Sequence, residues 1–307
     1  MRSRMQVTIE KKNWMIVSGV LILLTSLFFT IYFDLTLPYS KSRFESTGTF
    51  FVKFFIAPLL IAPVIEELLF RGFLSRSKVV RALFLILGVG ALFFFNFHWV
   101  LVTVILLTYV VYLSYFYTKI EWLLDVTILL SAIVFGSVHY SAEELNFLQT
   151  LPFFLIQFSG GLILSWVIYK KNFLSGVISH AVWNLIIVLI SLYGLQFVDT
   201  TASKAAYGQS SMVYEKVPIF HSSVSSFKIE DQELIAKNMT VFDVVKYMDE
   251  RYLDTFNITT PYMKYDIHIS SKGNPGASDF NSNAMRLLEQ EKLLIKRDSV
   301  GKAFVWR

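Results

Sequence analysis

The sequence predicts an all-α polytopic membrane domain of about seven transmembrane helices, followed by a small C-terminal soluble α/β domain. Three observations carry that expectation. The 307 residues are 54% hydrophobic and only 17% charged, with a mean hydropathy of +0.54, too apolar for an ordinary soluble domain. Seven apolar stretches, near 14–33, 48–74, 82–98, 99–118, 123–140, 147–169 and 174–196, approach or exceed the roughly 17–25 residues that cross a bilayer. Beyond about residue 200 the composition changes: residues 200–307 carry 14 Lys+Arg and 13 Asp+Glu and no long apolar run.

The start, "MRSRMQVTIEKKNW" before "MIVSGVLILLTSLFFTIYF", imitates a signal peptide. Its apolar run is long for that role and no small-residue cleavage site follows, so it reads as a retained first span. The third and fourth stretches form one apolar block that turns around "FNFHW", where His98 is the polar punctuation. Lys and Arg set the orientation. Arg2, Arg4, Lys11 and Lys12 precede the first stretch; Arg76, Lys78 and Arg81 follow the second, Lys119 the fourth, and Lys170 and Lys171 the sixth. With seven crossings these all fall on one side, which the positive-inside rule makes cytoplasmic. The N-terminus is then inside a cell membrane and the C-terminal domain outside the cytoplasm. The corresponding divisions are 1–47 (cytoplasmic segment, first span and outer loop), 48–199 (membrane core) and 200–307 (extracytoplasmic domain).

In the C-terminal part, "MTVFDVVKYMDERYL" has helical apolar spacing with Thr240 as N-cap, and "SDFNSNAMRLLEQEK" reads as a second helix. "MKYDIHIS" alternates as a strand, "SKGNPGAS" is a loop, and "KLLIKRDSVGKAFVWR" reads as a closing hairpin around Ser299–Gly301. The net charge of +5 is not a nucleic-acid signal, because the basic residues cluster at the ends of apolar runs. The absence of cysteine excludes disulfides, thiolate metal sites and a Cys nucleophile. Lys53 is expected to snorkel to the outer surface, and His221 and His268 to be ordinary residues of the soluble domain.

The chemistry-bearing residues lie in the apolar part. "APVIEELLFRGFL" places Glu66, Glu67 and Arg71 within the second stretch, where a charge costs about 2.5–3.5 kcal/mol on insertion scales. Glu67 and Arg71 are four apart and share a helix face. The same spacing relates Phe135 to His139 and His180 to Asn184. At about 1.5 Å per residue, Glu66 lies roughly 15 Å in from Arg76 and His180 about 14 Å in from Lys171; His139, about 21 Å from Asp125, needs a tilted helix to meet them. If they converge, a carboxylate and an imidazole around one water form a general-base site, and an imidazole N–H with an Asn amide can donate to an oxyanion. Such a set hydrolyses amides without a covalent nucleophile.

The ordered motifs Glu-Glu-x-x-x-Arg (66–71), Phe-x-x-x-His (135–139) and His-x-x-x-Asn (180–184), in the strings "APVIEELLFRGFL", "SAIVFGSVHY" and "FLSGVISHAVWNLI", resemble those of the CPBP family of intramembrane proteases. That family is also called the CAAX protease, Abi or bacteriocin-processing family. The resemblance covers roughly residues 50–195 and implies that 48–199 is a CPBP-type intramembrane protease core. It implies Glu66 as the base that activates water with help from His139. His180 and Asn184 would form the oxyanion hole, and Glu67, Arg71 and Phe135 would support the site. It implies no cofactor. Some family members are labelled metalloproteases, so a divalent metal such as zinc is the lesser alternative, although His-Glu-x-x-His is absent. The Glu67-to-His139 interval is longer than the family's usual one, and the extra length coincides with the third and fourth stretches.

The implied function is an intramembrane endopeptidase that cleaves a membrane-associated protein or peptide, with the bilayer as its other partner and no nucleic acid. A non-proteolytic scaffold or bacteriocin-immunity-type protein of the same fold is the first alternative. A transporter or proton relay is the second, disfavoured because a proton path has no need of the Asn184 amide.

Overall fold

The computed structural model describes residues 12–33, 52–94, 99–140, 148–230, 232–258, 260, 262–272 and 277–296. They form two compact units, one ending at Ile186 and the other beginning at Ile187.

The first unit is helical. Helix α1 spans Trp14–Tyr32. A π-helix, Val52–Ile61, runs directly into α2, Ala62–Arg71, which ends in a 3₁₀ turn, Gly72–Leu74. Helices α3 (Lys78–Phe94), α4 (Trp99–Thr118), α5 (Glu121–Ser137), α6 (Leu151–Lys170) and α7 (Phe173–Gln196) follow. Four of these, α1, α4, α6 and α7, are long and apolar enough to cross a membrane. The second expected span is not one α-helix but a π–α–3₁₀ succession. Helices α3 and α5 have 17 residues each, the lower limit for a crossing. The turn around "FNFHW", with His98, lies outside the described residues, as does the side chain of Lys53.

Side chains sort as hydrocarbon solvent requires. Helix α1 buries Met15, Gly19 and Ser26 and leaves Leu21, Leu24, Phe28 and Ile31 exposed. Small and polar groups face the neighbour and large apolar ones face outward, because lipid gives no reason to hide them. The helix lies along α6, where a Cβ on Gly19 would come within 2.9 Å of Ile163. At one end of this unit the buried Lys12 meets Asp125 at 2.5 Å, Trp14 Nε1 donates to the same carboxylate at 3.2 Å, and Trp166 Nε1 donates to Asn13 at 3.4 Å. These contacts bring together the start of α1, the start of α5 and the end of α6.

The second unit contains the end of α7 and a five-stranded antiparallel sheet in the order β1-β2-β6-β4-β3. Its strands are β1 (Ser203–Tyr207), β2 (Ser210–Val217), β3 (Ser226–Glu230), β4 (Glu233–Thr240) and β6 (Lys264–Ser271). Strands β1 and β2 turn through Gly208–Gln209, with Gly208 at φ +58°, a backbone that suits glycine. Alternating residues of the sheet, among them Met212, Leu234, Ile267 and Ile269, pack with Val244 and Val245 of α8 (Val241–Asp249) and with Phe280, Ala284 and Leu288 of α9 (Ala277–Gln290). Thr240 caps α8 as expected, accepting from Asp243 N at 3.2 Å. The first arm of the expected C-terminal hairpin contains a strand. Strand β7 (Leu294–Lys296) pairs with β5 (Phe256–Ile258), and the Ser299–Gly301 turn lies outside the described residues. The backbone of Ile219 donates to Leu195 O at 3.2 Å and that of Phe220 to Gln196 Oε1 at 3.1 Å, which ties the loop after β2 to the end of α7. His268 is a strand residue paired with Glu233 at 2.5 Å, and His221 contacts Ser223 at 2.8 Å.

Candidate active site

Helix α2 sets the site because its charged residues point two ways. Glu67 and Arg71 recur on one face and are both fully buried. Arg71 Nη1 donates to Glu67 Oε1. Glu66 is one residue round the helix, about 100° away, and its side chain keeps 23% of its exposure. The two adjacent carboxylates therefore have different surroundings.

The guanidinium of Arg71 is held on three sides. Its Nε donates to Gly161 O on α6 at 3.2 Å, and that carbonyl also accepts from Ser165 Oγ at 2.7 Å. Arg71 Nη2 has no hydrogen-bond acceptor among the described residues; the guanidinium instead lies 4.1 Å from the centroid of the Phe135 ring, where the negative face of the ring meets the cation. A Cβ at residue 161 would stand 3.1 Å from the backbone of Ala132 and 3.5 Å from Arg71 Nη2. Glycine thus allows α5, α6 and the arginine to meet.

Helix α5 supplies Ser131 and Phe135, and His139 follows its end at the same four-residue step. Ser131 Oγ donates to Phe70 O at 2.5 Å, capping a carbonyl in the last turn of α2, where helical partners run out. The Phe135 ring makes edge contacts with His139 at 4.9 Å and His180 at 5.9 Å between centroids. His139 sits just beyond the end of α5, with Nδ1 2.6 Å from Phe135 O. A carbonyl only accepts, so Nδ1 carries the hydrogen.

Helix α7 supplies His180 and Asn184. Buried His180 places Nδ1 2.7 Å from Glu67 Oε1 and Nε2 3.7 Å from Glu66 Oε2. Asn184 Nδ2 donates to Pro58 O at 2.7 Å. That carbonyl is open for a local reason. In a π-helix the carbonyl of residue i accepts from residue i+5, and residue 63, five after Pro58, is a proline with no N–H. The Asn184 amide replaces the missing donor. Among the described residues no group of three or more His, Asp or Glu is arranged to hold a metal ion.

Glu66, Glu67, Arg71, Phe135 and His180 are joined by these contacts; Phe135 relates His139 to His180, and Asn184 meets the π-helix just before α2. A family model described as type II CAAX prenyl endopeptidase Rce1-like matches residues 48–186. Residues 48–186 are similar to the Rce1-like family. No curated relative and no solved structure matches the chain. The Rce1-like region contains all seven candidate residues and excludes α1 and everything after Ile186. The matched family is a peptidase family, and among the described residues four helices are long and apolar enough to cross a membrane.

Five residues of the Rce1-like region were not singled out in the sequence. Ser131 shares the four-residue phase of Phe135 and His139. Gly161 and Ser165 form a small-xxx-small pair. Pro58 and Pro63 are five apart, the one spacing at which a π carbonyl loses its donor.

Proposed function

We propose that this protein is an intramembrane endopeptidase in which Glu66 activates a water molecule for attack on a peptide bond. The observation that carries the reading is the division of labour between neighbouring glutamates. Glu67 is fully buried and bound to Arg71 and His180, whereas Glu66 is partly exposed beside His180 Nε2. A carboxylate that can receive a proton and an imidazole within reach are the parts of general-base hydrolysis. His139 assists water activation. His180 and the second amide hydrogen of Asn184 stabilise the oxyanion. Glu67, Arg71 and Phe135 hold these groups in place. The reaction uses no metal and no cofactor.

The bundle crosses a cytoplasmic membrane seven times, with the π–α2 segment, α3 and α5 as the shorter crossings. The N-terminus is cytoplasmic, and residues 200–307 form an extracytoplasmic domain. The substrate is a membrane-associated protein or peptide. The family's description names prenyl endopeptidases, so a lipid-anchored C-terminal peptide is one substrate to include in the assay.

The test compares membrane and secreted peptides from cells carrying wild-type protein or Glu66→Gln. The variant keeps size and polarity but removes the base. It should reach normal membrane levels and lose all cleavage. Wild-type function in a deletion strain with an unchanged peptide profile would leave the non-proteolytic scaffold in its place. Activity stopped by a chelator and restored by zinc would make His139 and His180 metal ligands.

A further inference from the structure

Single exposed apolar side chains are ordinary on a protein surface, whereas several gathered in one place mark a contact. Among the described residues beyond α7, the large apolar or aromatic side chains with more than half of their surface exposed are Phe197, Phe220, Val224 and Tyr247. Three of these four belong to one end of α7 and the loop tied to it. Phe197 directly follows α7, and its ring lies 4.6 Å from that of Tyr193, which is also exposed. Phe220 is brought to the same level by the hydrogen bonds from Ile219 N to Leu195 O and from Phe220 N to Gln196 Oε1. It is 62% exposed, and Val224, four residues on, is 85% exposed.

The loop is pinned at its other end as well. Asn238 stands at φ +52° in the bulge of β4, and its backbone N–H donates to Asp266 Oδ1 at 2.6 Å. Its Nδ2 donates to Ser223 O at 2.5 Å, and its carbonyl accepts from Ser225 Oγ at 2.9 Å. Val224 lies between these two serines. Polar contacts thus fix the backbone while the large apolar side chains of Phe220 and Val224 stay outside. The sequence agrees. From Val217 to Phe227 there is no Lys, Arg, Asp or Glu, although residues 200–307 carry 14 Lys+Arg and 13 Asp+Glu. An uncharged segment of hydroxyl, aromatic and aliphatic side chains suits the boundary between headgroups and acyl chains.

We propose that the 218–224 loop is a membrane-interface anchor, with Phe220 and Val224 entering the headgroup boundary of the bilayer at the end of α7, level with Tyr193 and Phe197. The partner is the lipid surface. Continuity favours lipid over a protein: the loop is hydrogen-bonded to the last turn of a helix long and apolar enough to cross a membrane, whose exposed Leu189 and Ile190 need hydrocarbon around them. Two attachments, α7 and this loop, stop the sheet from turning freely about the helix axis. The anchor goes beyond the peptidase reading and does not depend on it.

The chain has no cysteine, so single cysteines report on single sites. Ile190→Cys, Gln209→Cys, Phe220→Cys and Val224→Cys are each labelled with a polarity-sensitive fluorophore in the full-length protein. Each is placed in phosphatidylcholine nanodiscs with and without lipid that carries a nitroxide at a shallow acyl position. Position 190 reports on α7, and position 209, in the β1–β2 turn at the far end of β2 from Val217, on the solvated part of the domain. Labels at 190, 220 and 224 should show blue-shifted emission and lose intensity with the nitroxide lipid, and the label at 209 should do neither. The 224 label decides even where Phe220→Cys disturbs the loop. Labels at 220 and 224 that match 209 would overturn the anchor and leave α7 as a span. Equal quenching at 209 would overturn it too, since the whole domain would then lie on lipid. A blue shift at 220 and 224 without quenching would replace lipid by a second copy of the chain. An unquenched label at 190 would remove both the α7 span and the anchor.

Discussion

Arg71 and His180 meet on a single oxygen: Oε1 of Glu67 accepts from the guanidinium of one and lies 2.7 Å from Nδ1 of the other. One buried carboxylate thus couples the cation of α2 to the imidazole of α7. Removing either cationic or acidic partner should therefore disturb both helices.

Arg71→Ala should lower the thermal stability of the detergent-solubilised protein, because breaking a buried pair costs roughly 3–5 kcal/mol. Arg71→Lys should recover only part of this loss. An ammonium can pair with Glu67 but cannot also present a planar group to Phe135 and a second donor to Gly161 O. A fully stable Arg71→Ala protein that had lost only cleavage would place Arg71 in the catalytic set instead.

Two adjacent glycines should behave oppositely. A Cβ at Gly161 meets the Ala132 backbone at 3.1 Å, whereas nothing lies within 4 Å of one at Gly160. Gly161→Ala should cost about 1–3 kcal/mol through overpacking. Gly160→Ala should be neutral or stabilising by up to about 1 kcal/mol, through helix propensity. Thermal denaturation of the two variants side by side checks this; equal midpoints would mean that α5 and α6 do not pack as described.

Asn184→Ala should lose a donor twice over. It leaves the Pro58 carbonyl unpartnered, at about 1–3 kcal/mol, and removes an oxyanion donor worth about 10²–10³ in rate. Asn184→Asp should be less stable still, since it sets a carboxylate against a carbonyl. Adding Pro63→Ala to Asn184→Ala restores an N–H at the fifth residue after Pro58 and should recover stability without recovering the rate. A double variant no more stable than the single one would count against the π-helix account.

Charge asymmetry predicts that an alkaline phosphatase fused after Thr201 is active and a fluorescent protein fused there is dark. The opposite pattern would require an even number of crossings, with the region from 82 to 118 as the first to revise.

The motif residues were legible because each charge stands out against an apolar background, and because four-residue spacing puts Glu67 beside Arg71 and His180 beside Asn184 on any helix. The depth estimate from helix rise already brought Glu66 and His180 level. Their partners were less legible. Gly161 and Ser131 act through a backbone carbonyl or on one, and carbonyls leave no mark in a residue pattern. Strands β1 to β4 were not read as strands, since "SKAAYGQSSMVYEKV" and "SFKIEDQELIAKNMT" mix small and charged residues, and one face of each is set only by pairing with β6 or with each other.

The sequence by itself determined the solvent of each segment and the inventory of the site. Twenty apolar residues partition into lipid whatever their neighbours, and a charge retained among them demands a partner. Which partner it takes was a matter of tertiary structure. Two glutamates adjacent in sequence are chemically alike, and helix rotation separates them by about 100°. Only the packing of α5, α6 and α7 around α2 decided that Glu67 is enclosed by Arg71 and His180 while Glu66 keeps part of its surface open. The reason is physical: burial and hydrogen-bond direction are properties of the neighbours in space, and those neighbours lie about 60 to 113 residues away along the chain.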